Sequence, residues 1–154
     1  MAKFELELPN DVIKQIQSIY DDADEIFGQM TQAGAKVVEQ NMKDNAPHVL
    51  VPYIRTTKTY KTPSDDGINT KPYVSGYMPF SGNRTTFSAK GGNGQTYTTT
   101  KGVPADFVAK IFEYGRSSAP FPKHPFLRKS FKKKEIEEAM LKAQSKASGG
   151  LLDE

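Results

Sequence analysis

The chain has 154 residues, no cysteine and two histidines. This length predicts one domain. The absence of cysteine excludes disulfides, thiolate metal sites and thiol nucleophiles, and a histidine metal site would need carboxylates to complete it. No stretch approaches the roughly 20 apolar residues of a membrane helix, so we expect neither a membrane partner nor a secretory leader.

The net charge of +3 is unevenly distributed along the chain. Acidic residues dominate the first 46 residues, and basic residues dominate the remainder. Two surfaces of opposite sign would favour head-to-tail self-association, because complementary potentials orient an encounter. The alternative is that the acidic residues form only the solvent face of one helix.

The first third predicts a strand followed by a long helix. Residues 3–8 alternate between apolar and charged side chains, which is typical of a half-buried strand. A helix is predicted over residues 11–45 and ends at Asn45-Ala46-Pro47, because the residue before proline avoids the α region. A bend at Gly28 or Gly34 stays open, and so does a coiled-coil role besides packing on a sheet. The predicted apolar stripe contains Ile16, Ile19, Ala23, Ile26, Met30, Ala33 and Val37.

The middle of the chain predicts β-structure. Residues 49–54 and 71–80 are β-prone, and residues 62–67 have the composition of a turn. Residues 81–102 predict a hairpin around Gly91-Gly92-Asn93-Gly94. Because this hairpin has few apolar residues, we expect it to protrude or to be a flexible loop.

The last third predicts two further helices. Pro104 suits the start of a short helix that Gly115 ends, and Pro125 suits the start of a helix that runs to about Ala147. The tail, residues 148–154, is expected to be disordered. The candidate core anchors are Phe107, Ile111, Phe112, Phe126, Leu127 and Phe131.

These elements lack βαβ alternation and therefore predict an α+β fold. We expect one domain over residues 1–147: an antiparallel sheet packed by a long N-terminal helix, a short helix and a C-terminal helix. Residues 81–102 form the protruding hairpin of this domain.

Little in the sequence indicates catalysis. His48 and His124 lack a nearby nucleophile or carboxylate partner, although a hydrolase built on His124 and Glu113 stays an option. Asp65 and Asp66 fit a turn better than a metal site. The Gly-rich segment has no Lys-Ser or Lys-Thr after it and so is no phosphate loop. We expect no enzyme and no cofactor.

A nucleic-acid-binding module is the alternative, and it would use the basic region 47–134. Its lysines and arginines could contact phosphates, and its tyrosines could stack on bases. Glu135, Glu137 and Glu138 dilute the most basic part. The basic candidates are Lys123, Arg128, Lys129, Lys132, Lys133 and Lys134, and the stacking candidates are Tyr53, Tyr60, Tyr73, Tyr77 and Tyr97.

An ordered set of motifs resembles one protein family. The long helix ends in Asn45-Ala46-Pro47, a β-rich segment follows, and the short helix closes in Glu-Tyr-Gly before Pro-Phe-Leu-Arg opens the last helix. This order is similar to that of the small head–tail joining proteins, also called tail-completion or neck proteins, of long-tailed bacteriophages and prophages. Lys129-Ser130 departs from the Pro-Ala of that family, and the hairpin 81–102 resembles an insertion. The motif residues are Glu113, Tyr114, Gly115, Pro125, Phe126, Leu127, Arg128 and Phe131.

The resemblance implies a structural protein of the virion neck, assembled in the cytoplasm of the host bacterium. It implies a connector ring, expected to be a hexamer although the isolated chain can be a monomer, between a head-closure protein and a tail terminator or tail-tube protein. Genomic DNA would pass through the channel without sequence recognition. It implies no reaction, so the motif is predicted to serve assembly. From the residues themselves, we expect Glu113 and Arg128 to form an ion pair across the corner or to bind a neighbouring subunit.

Overall fold

The computed structural model describes residues 10–64, 66–91, 93–116 and 121–149, so the strand predicted over residues 3–8 lies outside it. The helices are α1 Asn10–Asp21, α2 Ala23–Asn45, α3 Ala105–Tyr114, α4 Leu127–Ser130 and α5 Lys133–Ala147. The strands are β1 Ile54–Thr56, β2 Tyr60–Lys61, β3 Ile68–Asn69, β4 Pro72–Val74, β5 Tyr77–Met78, β6 Phe87–Lys90, β7 Thr96–Thr99 and β8 Val103–Pro104. The α+β class is confirmed, with small antiparallel ladders in place of one broad sheet.

The long N-terminal helix is interrupted at Asp22, so its prediction as one element is wrong there. Asp22 has φ −93° and ψ 4° and separates α1 from α2, whereas Gly28 and Gly34 both lie inside α2. Asp24 and Glu25 occupy the first turn of α2. Carboxylates are favourable at a helix N-terminus, which explains why a new helix begins among these acids. The predicted end of the helix at Asn45 is confirmed.

The buried face of α2 is also shifted from the predicted stripe. Ile26 is buried as predicted, but Met30 and Val37 are only half-buried, Ile16 of α1 is exposed, and the side chain of Ile19 lies outside the description. The buried residues of α2 are Ile26, Gly34, Ala35, Val38, Asn41 and Met42. The main core cluster consists of Val38, Met42, Leu50, Ile54, Ala109 and Phe126.

A first hairpin covers one side of α2. Strand β1 pairs with β4, with Ile54 opposite Val74. Further along the same hairpin, β2 pairs with β3, next to the turn at residues 62–67. The strand predicted over residues 49–54 is wrong except at its end, since Val51–Tyr53 is a 3-10 helix. Pro52 lies at its start, where a missing N–H costs little.

A second hairpin follows directly and ends beside α3. Strand β5 pairs with β8, and further out Phe87 of β6 pairs with Thr99 of β7. The predicted hairpin within residues 81–102 is therefore present; its flexibility stays a prediction. Its base is held by an edge contact between Phe87 and Phe107, with ring centroids 5.0 Å apart.

The C-terminal helix packs along α2 and is interrupted near its start. Phe131 and Lys132 separate α4 from α5, so the prediction of one helix from Pro125 is wrong there, while its end at Ala147 is confirmed. Gly34 permits the close approach of α5, since a Cβ there would lie 3.0 Å from Cγ of Met140. Ser148, placed in the tail by the sequence, is buried, and residues 150–154 lie outside the description.

Candidate assembly site

The predicted motif forms the corner between α3 and α4. Gly115 ends α3 with φ 78°, and its N–H donates to the carbonyl of Ile111 at 2.8 Å. A Cβ at Gly115 would lie 3.0 Å from the carbonyl oxygen of Phe121. Glycine therefore provides both the left-handed backbone and the space that this turn needs.

The carboxylate of Glu113 joins the two sides of the corner. The Glu113 side chain is 1% exposed. Its Oε2 accepts a hydrogen bond from the backbone N–H of Leu127 at 2.9 Å, and its Oε1 accepts one from Nε of Arg128 at 2.8 Å. Leu127 is the first residue of α4. Glu113 thus satisfies a backbone N–H that has no partner inside α4, as a capping side chain does.

The electrostatics of this corner favour the charged carboxylate. Burial alone would raise the pKa of Glu113, but hydrogen bonds from the Arg128 side chain and from the backbone N–H groups of Leu127 and Arg128 outweigh it and hold the pKa below its ordinary value. The hydrogen bond to Glu113 in turn raises the pKa of Arg128. The Arg128 guanidinium also lies 5.5 Å from the ring centroid of Tyr114. The predicted ion pair across the corner is therefore present.

The apolar members of the predicted motif divide between core and surface. Phe126 is 2% exposed in the main core, and Leu127 packs against that core. Phe107 and Phe131 are 37% and 61% exposed, so their prediction as core anchors is wrong. Phe131 precedes α5 at the interruption, where the helical spacing that predicted its burial no longer holds.

The two histidines that the sequence offered for catalysis lie at the protein surface. His48 and His124 are exposed, and the backbone N–H of His124 donates to the carbonyl of Phe112 at 2.7 Å. Asp66 is exposed with φ 52° in its turn, and Asp65 lies outside the description. In the described part of the chain, no three acidic or histidine side chains are grouped so that they could hold a metal ion.

Among the described residues, five basic side chains of the region 47–134 form ion pairs with acids. Lys61 pairs with Asp24, and Lys133 lies 3.4 Å from Glu137. Further pairs are Lys110–Asp106, Arg128–Glu113 and Lys132–Glu135. Such pairing leaves fewer cations for phosphate contacts than the sequence alone indicates. Among the described helices, none has the length and apolarity required to span a bilayer.

Sequence reasoning missed an exposed apolar face on α1, which we call the α1 face. It consists of Ile13, Ile16 and Tyr20, which are 46%, 56% and 78% exposed. Their spacing of three and four residues places them on one side of the helix. That spacing was a visible signal, but it is the same signal that a buried helix face would give.

Sequence reasoning also missed a groove between α3 and the second hairpin, which we call the α3 groove. Its volume is about 560 Å³. Its lining mixes apolar side chains with polar ones, including two arginines. The lining residues are Arg84, Thr86, Phe87, Ser88, Val103, Phe107, Val108, Ile111 and Arg116. They come from segments distant in sequence, so no local motif could have indicated the groove.

Comparison with known proteins identifies a family. The family model described as "Bacteriophage HK97-gp10, putative tail-component" matches residues 10–115, which include α1 to α3 and both hairpins. No curated protein and no solved structure matches the chain. Since the matched segment is more than half of the sequence, the chain belongs to the HK97-gp10-like family of phage tail components.

Proposed function

We propose that this phage tail component works in the virion neck, where it completes the tail and joins it to the DNA-filled head as a subunit of a connector ring. A hexamer is the expected ring, and the isolated chain can still be a monomer. The neighbours would be a head-closure protein and a tail terminator or tail-tube protein. The proposal assigns no reaction and no cofactor, and genomic DNA would pass through the ring without sequence recognition.

The observation that carries the proposal is the exposed α1 face in a member of a tail-component family. Among the α1 side chains that the structure describes, none is buried. Contiguous exposed apolar surface rimmed by polar residues marks interaction sites in soluble proteins. A subunit that acts only within an assembly would keep such a face for its neighbours.

The corner between α3 and α4 supports the proposal in a different way. Glu113 links α3 to α4 through the N–H of Leu127, and Phe126 packs in the core. On the outer side of the corner, Tyr114 is 62% exposed and the Arg128 side chain is 69% exposed. We propose that the corner is a rigid part of an assembly contact, with Tyr114 and Arg128 toward the neighbour. Aromatic and arginine side chains are enriched at such contacts.

The test is a phage in which a stop codon interrupts this gene. We expect DNA-filled heads and tails that lack this protein to remain separate in electron micrographs, with joining restored by the wild-type protein supplied in trans. As a control, the Glu137→Gln protein supplied in trans should also restore joining, because this substitution changes only an exposed ion pair. Complete infectious virions without the protein, or immunogold labelling away from the neck, would refute the proposed position.

The nucleic-acid-binding alternative makes a different prediction. It requires DNA affinity that falls steeply with salt, because bound phosphates release counterions. The ion pairs of Lys61, Arg128 and Lys132 weigh against it. Filter binding of duplex and single-stranded DNA at low and high salt separates the two functions, and tight salt-dependent binding would favour the alternative.

A further inference from the structure

The α1 face has the properties of one half of a subunit interface. The helix has 12 residues, which is about 18 Å at the usual rise, and Ile13, Ile16 and Tyr20 lie along it. Asp22 and Glu25, both exposed, follow the face in the chain. The α1 face is therefore an apolar strip with an acidic end.

The α3 groove has the complementary properties. Phe87, Phe107, Val108 and Ile111 supply apolar lining, and Arg84 is exposed at the groove. Within the described residues, no acid forms an ion pair with Arg84. The volume of this groove is about 560 Å³.

The two surfaces are separate on the subunit. The lining residues of the α3 groove belong to β6, β8, α3 and the segments next to them, and none belongs to α1 or α2. A contact between two different surfaces of identical chains is heterologous, and it generates a closed ring or a filament. The acids that follow the α1 face and the arginine in the α3 groove also have opposite charges, which orients such a contact.

We propose that the α1 face of one subunit binds in the α3 groove of a second copy of this chain, with Asp22 near Arg84 of the neighbour. This inference rests on the proposed function, since it supplies the subunit contact of the connector ring. Ile13, Ile16 and Tyr20 would cover the apolar lining beside Phe107. The hairpin β6–β7 would then form one wall of the interface, which gives the segment 81–102 a role in assembly.

The test is site-specific cross-linking of the full chain, which contains no natural cysteine. Gln17→Cys lies beside the α1 face without altering it, and Thr86→Cys lies in the lining of the α3 groove. The two variants, carrying tags of different mass, are mixed and treated with a short bis-maleimide. The matched control replaces Thr86→Cys by Lys142→Cys, which is also an exposed position and lies on α5.

We expect a mixed dimer from Gln17→Cys and Thr86→Cys in several-fold excess over the Lys142→Cys control, and a ladder of multimers from the chain carrying both cysteines. Ile16→Asp in the Gln17→Cys chain should abolish the product. The similarly exposed Leu141→Asp should not. Arg84→Glu should lower the yield about fivefold, as for the loss and reversal of a surface charge pair, and Asp22→Arg in the other chain should restore it.

Each outcome bears on the interface alone or on the neck position alone. Yields equal to the Lys142→Cys control at the highest protein concentration tested overturn the interface, and so does an equal loss of product with Ile16→Asp and Leu141→Asp. A neck ring in virions without this cross-link would keep the proposed function and refute the contact. Specific cross-linking of a protein that is absent from the neck would support the contact and refute the proposed function.

Discussion

Replacement of Glu113 by glutamine tests the corner between α3 and α4 with little change of shape. In the native protein both carboxylate oxygens accept hydrogen bonds, one from Leu127 N–H and one from Arg128 Nε. Glutamine has one oxygen and one NH₂ group, so one of these donors would face another donor. Glu113→Gln therefore either loses the charge-assisted bond to Arg128 or leaves the N–H of Leu127 without its acceptor.

The size of the effect follows from burial. An unsatisfied buried group costs about 1–3 kcal/mol, and a hydrogen bond to a charged group contributes about 1.5–3 kcal/mol. The Arg128 side chain is 69% exposed, so water replaces part of the lost ionic interaction. We expect Glu113→Gln to lower the free energy of unfolding by about 2 kcal/mol and the Tm by about 4–8 °C for a chain of this length.

Urea denaturation between pH 3 and pH 7 measures both the magnitude and its pH dependence. The pKa of Glu113 is lower in the folded state, so its stabilisation is fully present above the unfolded-state value of about 4.3. It is lost as the pH falls through the folded-state pKa. The difference in unfolding free energy between wild type and Glu113→Gln should therefore shrink as the solution is acidified below about pH 4.

The control is Glu137→Gln, because Glu137 pairs with Lys133 at the surface with side chains 54% and 87% exposed. It should change the unfolding free energy by less than about 0.5 kcal/mol. Equal stability of Glu113→Gln and wild type at pH 7 would refute the reasoning. A loss that does not diminish in acid would show that the carboxylate charge contributes nothing.

Two further pairs of substitutions test the packing, each by urea denaturation at pH 7. Gly34→Val should lower the free energy of unfolding by about 1–3 kcal/mol, because the larger side chain would overpack against Met140. Gly28→Ala should raise it by about 0.4–1 kcal/mol, because its Cβ would lie 3.6 Å from the nearest side-chain atom. Similar losses of stability in both variants would contradict the close contact between α2 and α5. Phe126→Ala should cost about 3–5 kcal/mol because the ring is buried, and Phe131→Ala should cost much less; the opposite order would contradict the assignment of the core.

The elements that local chemistry determines were predictable from the sequence. Proline after Ala46 stops α2, and Gly115 stops α3, because each restricts or permits particular backbone angles. The hairpin around residues 91–94 was predicted by its glycines. The Glu113–Arg128 pair was predicted because two charged residues flanked a corner rich in apolar side chains.

Features that depend on tertiary contacts were not predictable in the same way. The break at Asp22 depends on where a second helix can begin, and the shift of the buried face of α2 depends on the position of α5. Gly34 was interpreted as a candidate bend, yet it serves the approach of Met140. The spacing of apolar residues along a helix predicts that one face is apolar, but it does not predict which element covers that face.

Three apolar residues that the sequence assigned to a buried position are exposed in the subunit. Ile16, Phe107 and Phe131 are apolar and lie at helical or turn spacings that indicate burial, yet each is exposed in the subunit. An apolar residue in a sequence can be buried in the subunit core or in an interface between subunits, and the sequence pattern alone does not distinguish the two. Ile16 and Phe107 belong to the two halves of the proposed interface, the α1 face and the α3 groove. Exposure of these two residues in the subunit is therefore expected if both become buried in the proposed interface. Cross-linking between Gln17→Cys and Thr86→Cys tests whether that interface forms.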